Sequence, residues 1–274
     1  MLPVKQIQKW MHNIQTDVFI INRTDEFLSE YISPYAERLK WLSGFSGSAG
    51  RAIIEKNRAY IFVDGRYTNQ VEQEIDKTLF TIKHLKDYWT HLQLLNQEQK
   101  HISLDPKHHS IIEIEKMQEI YLHSDVRLNF IKKNPIDLYW EDQPEYPKSL
   151  TFLHPEKFSG ESAINKITKI QKKLTSTFID FFVLSSLDSI AWLLNIRGDD
   201  VEFTPLVCSY IIISNEGKVH LFIDKLKIKN FEYFESITII YPFEEIDNFL
   251  DNLDKNKIIG LDSKECFIVN KVLS

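Results

Sequence analysis

Cysteine is scarce in this chain. There are two in 274 residues, Cys208 and Cys266, each among apolar neighbours ("LVCSYIII", "ECFIV") as buried free thiols are. Two isolated thiols cannot form a bridge framework, which excludes the small disulfide-held secreted scaffolds. Long apolar runs are missing too. None approaches the ~18 residues of a transmembrane helix, and the opening "MLPVKQIQKWMHNIQ" lacks the unbroken apolar centre of a signal peptide. A cytoplasmic chain with no membrane partner is expected. Positive charge is in deficit: 33 Lys and Arg against 39 Asp and Glu leave a net charge of −6. That field repels nucleic acid, so no nucleic-acid partner is expected. The pairs Lys132-Lys133 and Lys172-Lys173 are short and read as solvated faces. Glycine is thin as well, eight in all, yet Gly44, Gly47 and Gly50 crowd into "GFSGSAGRAII" (44–54).

What is present is an ordinary globular mix, 43% apolar and 26% charged, long enough for two domains with cores of their own. Helix and strand patterns alternate. Residues 3–14 read as an amphipathic helix and "DVFIIN" (17–22) as a buried strand. "RAIIE" (51–55) and "AYIFVD" (59–64) flank the turn "KNR" as a hairpin. "RYTNQVEQEID" (66–76) reads as a helix, "HISLD" (101–105) as a strand and "SIIEIEKMQEIYL" (110–122) as a helix. "NPIDLYWEDQPEYPKSLTFLHP" then brings four of the nine prolines together, a linker composition.

The order then starts again. Helices are expected at 162–174 and 186–195, a strand at 180–185, a second hairpin at 205–214 and 218–224, and strands at 237–243 and 257–262. "DVFIINRTD" (17–25) aligns with "DFFVLSSLD" (180–188), so Asp17 matches Asp180 and Asp25 matches Asp188. Trp41-Leu42 matches Trp192-Leu193, and both hairpins end on Asp, at Asp64 and Asp224. Two α/β halves of one pattern are expected, each a mixed sheet with flanking helices.

A phosphate loop needs a strand before it and a helix after it. Here "ERLKWLS" precedes the glycines, a strand follows them, and no Gly-Lys-Ser or Gly-Lys-Thr is present. Glycines at positive φ turning the chain into the hairpin are the better reading. Ser48 lacks the strand-to-helix turn of a nucleophile elbow. His101, His108 and His109 show no helical His-Glu-x-x-His spacing, and His108-His109, after Asp105-Pro106, reads as a solvated loop.

The stretch "SEYISPYAERLKWLSGFSGSAGRAIIEKNRAYIFVDGRYTNQVEQEID" resembles the first N-terminal domain of the cytosolic-type Xaa-Pro aminopeptidases (aminopeptidase P). "SSLDSIAWLLNIRGDDVEFTPLVCSYIIIS" resembles that family's second N-terminal domain, and "NPIDLYWEDQPEYP" fits the join. The likeness runs from about Ile7 to Leu273. It implies creatinase/prolidase N-terminal-like domains at 1–136 and 161–274 with a linker at 137–160. It also implies a catalytic domain of pita-bread fold outside this chain, holding two divalent metal ions, manganese as a rule. The chain itself would then hold no cofactor, metal ligand or catalytic residue, and its end at "FIVNKVLS" reads as preceding that domain. Its expected role is substrate access and assembly within an enzyme that releases the N-terminal residue from Xaa-Pro peptides and is a homodimer at full length. "DGRY" (64–67) carries the one site residue implied: Arg66, whose family counterpart binds substrate. From the residues alone, Asp64 caps the turn and Arg66 is solvated. A cation at a helix N-terminus is unfavourable, so some partner must hold it. "RGD" (197–199) is expected to be no more than part of the segment after the Trp-Leu helix. The competing readings are a stand-alone module that binds peptides or a partner, and part of a creatinase or prolidase relative.

Overall fold

The computed structural model describes residues 2–95 and 101–266. The chain forms two compact units. One comprises the residues up to Glu26 together with Pro34–Glu145; the other comprises Phe27–Ser33 together with the chain from Tyr146 onward.

The first unit runs α1 (Pro3–Asn13), β1 (Val18–Asn22), α2 (Arg38–Ser43), β2 (Gly50–Glu55), β3 (Ala59–Val63), α3 (Thr68–Glu74), β4 (Thr81–His84), α4 (Tyr88–Leu95), β5 (His101–Leu104), α5 (Ile111–Tyr121), β6 (Arg127–Phe130) and α6 (Pro135–Tyr139). Pro3 suits the first turn of α1, where its missing N–H costs nothing. Val4, Ile7 and Met11 then lie on one face and are buried. All five residues of β1 are buried, because it lies inside the sheet order β4-β3-β2-β1-β5-β6. β1 pairs antiparallel with β2 and parallel with β5. β2 pairs antiparallel with β3, and β3–β4 and β5–β6 are parallel.

The second unit contains β7 (Phe152–Leu153), α7 (Glu156–Ser159), α8 (Ala163–Ser176), β8 (Phe181–Leu184), α9 (Leu187–Leu194), β9 (Ile196–Arg197), β10 (Tyr210–Ser214), β11 (Val219–Phe222), α10 (Phe231–Ile237), β12 (Thr238–Tyr241), α11 (Ile246–Asp251) and β13 (Ile259–Leu261). Its main sheet has the order β12-β11-β10-β8-β13. This is the first sheet strand for strand up to β5, with the same senses of pairing. The registers agree: Val18 faces Glu55 and Ile102, while Phe181 faces Ser214 and Ile259.

The polar anchors agree as well. Asp17 accepts the His101 N–H at the start of β5 and pairs with Lys56. Asp180 accepts the Ile258 N–H just before β13 and pairs with Lys257. Asp64 and Asp224 each cap a short turn after the hairpin, accepting the N–H groups of Arg66 and Leu226. Three residues after each tryptophan of the Trp-Leu pairs, Gly44 and Asn195 adopt left-handed backbone and end α2 and α9. Asp105 and Asp262 turn the chain after β5 and β13 by accepting the N–H groups of Lys107 and Lys264. This last pair was legible as "LDPK" and "LDSK".

Several expectations change. The helix expected at 66–76 begins as a 3-10 turn, Gly65–Tyr67, because Asp64 holds the Arg66 N–H. The strand expected from 205 starts only at Tyr210, since the Cys208 N–H is taken by the buried Asp200 carboxylate at 2.7 Å. The Pro-rich stretch carries α6 and β7, and α7 follows it directly. β4, α4, β6, α10 and α11 were not anticipated. Cys208 and Cys266 are buried free thiols, as expected; the end of the second half and the last residues of the family likeness lie outside the described residues, from 267 on.

His108 and His109 are not in a solvated loop; they are 5% and 0% exposed. The turn after β5 folds inward. The last side chain of β1, Asn22, donates to the His108 carbonyl at 3.0 Å and contacts His109 Nδ1 at 3.0 Å. Asn134 lies 3.3 Å from His108 Nδ1 and also donates to Asp105. Arg51 pairs with Glu113 beside them and lies over the Tyr88 ring. Burial pushes the His108 imidazole down to about 4, against the pull of Asp105. Burial opposes ionisation of Glu113, but His109 and Arg51 outweigh it and hold the carboxyl at about 2. Both depressed values act in one direction. The unfolded chain takes up protons first, so stability is present near neutrality and falls through the His108 window, about 6.5 to 4, and then the Glu113 window, about 4.5 to 2. His108→Asn, which keeps an acceptor, should flatten the dependence of Tm on pH between about 6.5 and 4.5. Thermal melts across that range check this; an unchanged slope refutes it.

The second unit is braced by a buried ion pair. Lys227 Nζ lies 2.7 Å from Asp200 Oδ2, and both side chains are fully sequestered. Asp200 also accepts the Ser149 N–H and hydroxyl. Asp200→Ala strands the ammonium and should cost about 3–5 kcal/mol, whereas Asp200→Ala with Lys227→Met should recover much of it. Denaturant titration of both variants is the measurement.

Candidate functional site

The two sequence motifs, the glycine loop and "DGRY", form one structure at the carboxyl end of β3. The loop leaves α2 through Gly44 at φ +85°, where a side chain would be strained and its Cβ would meet the Glu74 carbonyl at 2.9 Å. Gly47 serves a different purpose. Its φ is not positive; a Cβ there would sit 2.3 Å from Phe45 Cζ and 2.8 Å from Tyr67 Cδ1. Only one glycine of the three therefore turns the chain by left-handed backbone, and the expectation of several positive-φ glycines is corrected: close packing of Phe45 and Tyr67 accounts for Gly47.

Polar contacts fix the loop to α3. The Ser46 N–H and hydroxyl both donate to the Glu74 carboxylate, at 2.8 and 2.6 Å. Burial raises the Glu74 carboxyl but these hydrogen bonds outweigh it, so it stays below its ordinary value. Ser48 and Tyr67 share a 2.6 Å hydrogen bond, which lowers the Tyr67 hydroxyl. Arg23, paired with Glu37, donates to the Ser48 carbonyl at 3.5 Å. α2 precedes this loop and β2 follows it, the reverse of the strand-then-helix order of a phosphate cradle.

Arg66 stands on this platform. Asp64 Oδ1 accepts both its N–H at 3.0 Å and its Nε at 2.8 Å. These two bonds, the main-chain one first, hold the Asp64 carboxyl below its usual value. Asp64 is thus the partner that keeps a cation at the start of this turn. The guanidinium lies 5.6 Å from the Tyr67 ring centre, and the side chain is 68% exposed. The result is an oriented, solvent-facing guanidinium, suited to a carboxylate, a carbonyl or a partner's acidic group. At the equivalent place in the second unit stands Leu226, 82% exposed, so the two units do not share this chemistry. Ser48 hydrogen-bonds the Tyr67 hydroxyl and sits in a loop that runs from a helix into a strand. Arg197 of "RGD" donates to the Ala191 and Ile196 carbonyls and tethers the end of α9. Among the described residues, no group of three or more His, Cys, Asp or Glu is placed to hold a metal ion. No helix among them is long and apolar enough to cross a membrane. The residues present therefore do not fit the two-metal centre that the family likeness implies, and no step through metal is assigned to this chain.

The fold and this surface define a tandem of mixed-sheet α/β domains that presents an oriented arginine. Each half belongs to one family. A model of the creatinase/prolidase N-terminal domain matches residues 3–132, and a second model of the same description matches 142–273. The chain is 33% identical over 248 residues to a probable Xaa-Pro aminopeptidase P of Aspergillus clavatus, covering 88% of this chain and 38% of that protein. It is 35% identical over 228 residues to a protein of the same description from Aspergillus fumigatus, covering 81% of this chain and 35% of the relative. The chain thus spans well under half the length of the curated relatives it matches. Among solved structures it resembles the crystal structure of X-prolyl aminopeptidase from Caenorhabditis elegans, described as a cytosolic enzyme with a di-nuclear active site. The TM-score is 0.85 at 25% identity, over 91% of this chain and 44% of that one.

Gly47→Ala tests how the platform is packed. The added methyl overlaps Phe45 and Tyr67, so it should destabilise by about 1–3 kcal/mol and lower Tm by several degrees. Gly217→Ala, where nothing lies within 4 Å but φ is +75°, separates steric overlap from backbone strain. If Gly47→Ala melts like the parent, the platform is not close-packed.

Proposed function

We propose that this chain is the non-catalytic N-terminal portion of a metallo-aminopeptidase that releases the N-terminal residue from Xaa-Pro peptides, and that Arg66 contacts substrate. The observation that carries the reading is the likeness across both units to relatives described as Xaa-Pro aminopeptidase P. The held, solvent-facing Arg66 supports its part in it. The reading includes domain bounds of 1–136 and 161–274 about a linker at 137–160, and an origin of the two units by duplication, which the shared strand order and register support. It also includes a cytoplasmic homodimer at full length and two divalent metal ions, manganese, held by residues outside this chain. When bound, such a pair supplies a nucleophilic water and polarises the peptide carbonyl. This chain's contribution is positional: Asp64 fixes the direction of Arg66, and the Ser48–Tyr67 pair fixes the turn that carries it.

The first test is made on the full-length protein. Arg66→Ala should lower kcat/KM roughly ten- to a hundredfold, the size of one lost charge-assisted contact. Tm should stay within about 2 °C, as for exposed side chains in general. Unchanged kinetics return Arg66 to a solvated role. The second test is made on this chain alone, which should release no N-terminal residue from an Xaa-Pro peptide with or without manganese. Manganese-dependent turnover by it overturns the reading. A full-length protein that lacks peptidase activity altogether favours a peptide- or partner-binding module.

A further inference from the structure

The two parallel strands beneath Arg66 end in the same way. β3 runs out at Asp64, whose carboxylate accepts the Arg66 N–H and caps the short turn Gly65–Tyr67. β4, its parallel neighbour, runs out at His84, whose Nδ1 accepts the Lys86 N–H at 3.1 Å and caps the short turn Leu85–Asp87. Val63 and His84 are partners in the register, so the two caps stand side by side. Open α/β sheets bind their ligands beyond the carboxyl ends of their strands. A histidine is an unusual cap there. Ser, Thr, Asp and Asn supply the accepting oxygen with less bulk. An imidazole that accepts at Nδ1 carries its proton on Nε2 and so keeps an N–H donor on its far side. That nitrogen stands against the turn that presents Arg66: a Cβ on Gly65 would lie only 3.3 Å from it. The ring is exposed, and its one hydrogen bond among the described residues is the cap. His84 also adds to the lowering of the Asp64 carboxyl, behind the hydrogen bonds from Arg66, so ring and carboxylate lie within reach of each other.

The second unit shows that the fold does not require this histidine. Asp224 and Pro242 hold the places of Asp64 and His84, opening the corresponding short turns Lys225–Lys227 and Phe243–Glu245. Asp224 caps as Asp64 does, but Pro242 makes no side-chain cap. Leu226 stands where the first unit has Arg66. On one framework, then, both side-chain donors are present in the first unit and both are absent from the second, as two parts of one site would be. Charge narrows what they can hold. Asp64 already balances Arg66 at 2.8 Å, and an exposed pair of this kind leaves little net field for a ligand carboxylate. What remains is a pair of N–H donors on adjacent turns. A peptide carbonyl, a neutral acceptor with two lone pairs, matches them.

We propose that His84 is a second substrate-contacting residue, donating its Nε2–H to a main-chain carbonyl of the peptide that Arg66 engages. The assignment rests on the reading that Arg66 contacts substrate in the full-length enzyme, and it adds to that reading a residue, a donor atom and the acceptor it serves. Within this chain the cap and the donor are the two nitrogens of one ring. The Lys86 N–H fixes the tautomer, and the fixed tautomer puts the proton on the side of the Arg66 turn.

The test is made on the full-length protein with an alanyl-prolyl-alanine tripeptide as substrate. His84→Asn keeps an acceptor for the Lys86 N–H and removes the Nε2 donor. It should lower kcat/KM roughly three- to tenfold, the size of one neutral hydrogen bond, with Tm unchanged. His84→Gln carries an amide N–H out to the place of Nε2 but gives up the cap. It should keep kcat/KM within about twofold of the parent and lower Tm by about 1–4 °C. A residue that only caps its turn gives the reverse order, parental kinetics for His84→Asn and the larger loss for His84→Gln, and that result overturns the proposal. Should His84→Asn melt low, His84→Gln is compared with His84→Leu. Neither of these caps the turn and only the glutamine donates, so equal kinetics overturn the proposal. Arg66→Ala, measured alongside, separates the two readings. If it is impaired while His84→Asn is parental, the reading of Arg66 stands and that of His84 falls; if both are parental, both fall.

Discussion

Each unit is organised by a strand with an antiparallel partner on one flank and a parallel partner on the other. The antiparallel side is reached through a short helix and a turn, the parallel side only after a long crossover. Chains leaving the two parallel strands must therefore part company, and a side chain at the end of the first strand bridges to the backbone beyond the second. Asn22 and Ser185 make that bridge with different chemistry. In the first unit that bridge sits in a buried polar cluster, with Asn22 also against His109 Nδ1.

The pattern was legible in the sequence wherever a single face or a whole strand is buried. α1 shows its apolar face at three- and four-residue spacing, and β1 and β10 are apolar runs because neighbours cover them on both sides. The elements that escaped are those whose burial is partial. β4 and β6 bury no residue fully, and α10 and α11 are helices of only seven and six residues that bury two side chains each. Such segments carry no periodicity that local sequence can reveal.

Side chains near the site were legible for a different reason. Asp64 announces a cap by its position after a hairpin, and Arg66 by the unfavourable dipole it would otherwise face. His108 and His109 escaped because their burial depends on Asn22, 86 and 87 residues away, a separation no local pattern encodes. The glycines were recognised as structural, but the cause at Gly47 is a pair of aromatic rings brought together by tertiary packing, not the backbone's own geometry.

The excursion of Phe27–Ser33 into the second unit bears on how the chain comes off the ribosome. Phe27 packs 4.9 Å from the Tyr210 ring and 6.1 Å from that of Phe243, both encoded far downstream. The first sheet has all its strands once β6 emerges, but this early loop must wait for roughly a hundred further residues, some 5–20 s at ordinary translation rates. During that interval a buried phenylalanine is a solvent-exposed one, held between two finished pieces of structure. The nascent chain therefore passes through a stage in which this loop of the second unit waits, unpacked, for partners still to be made.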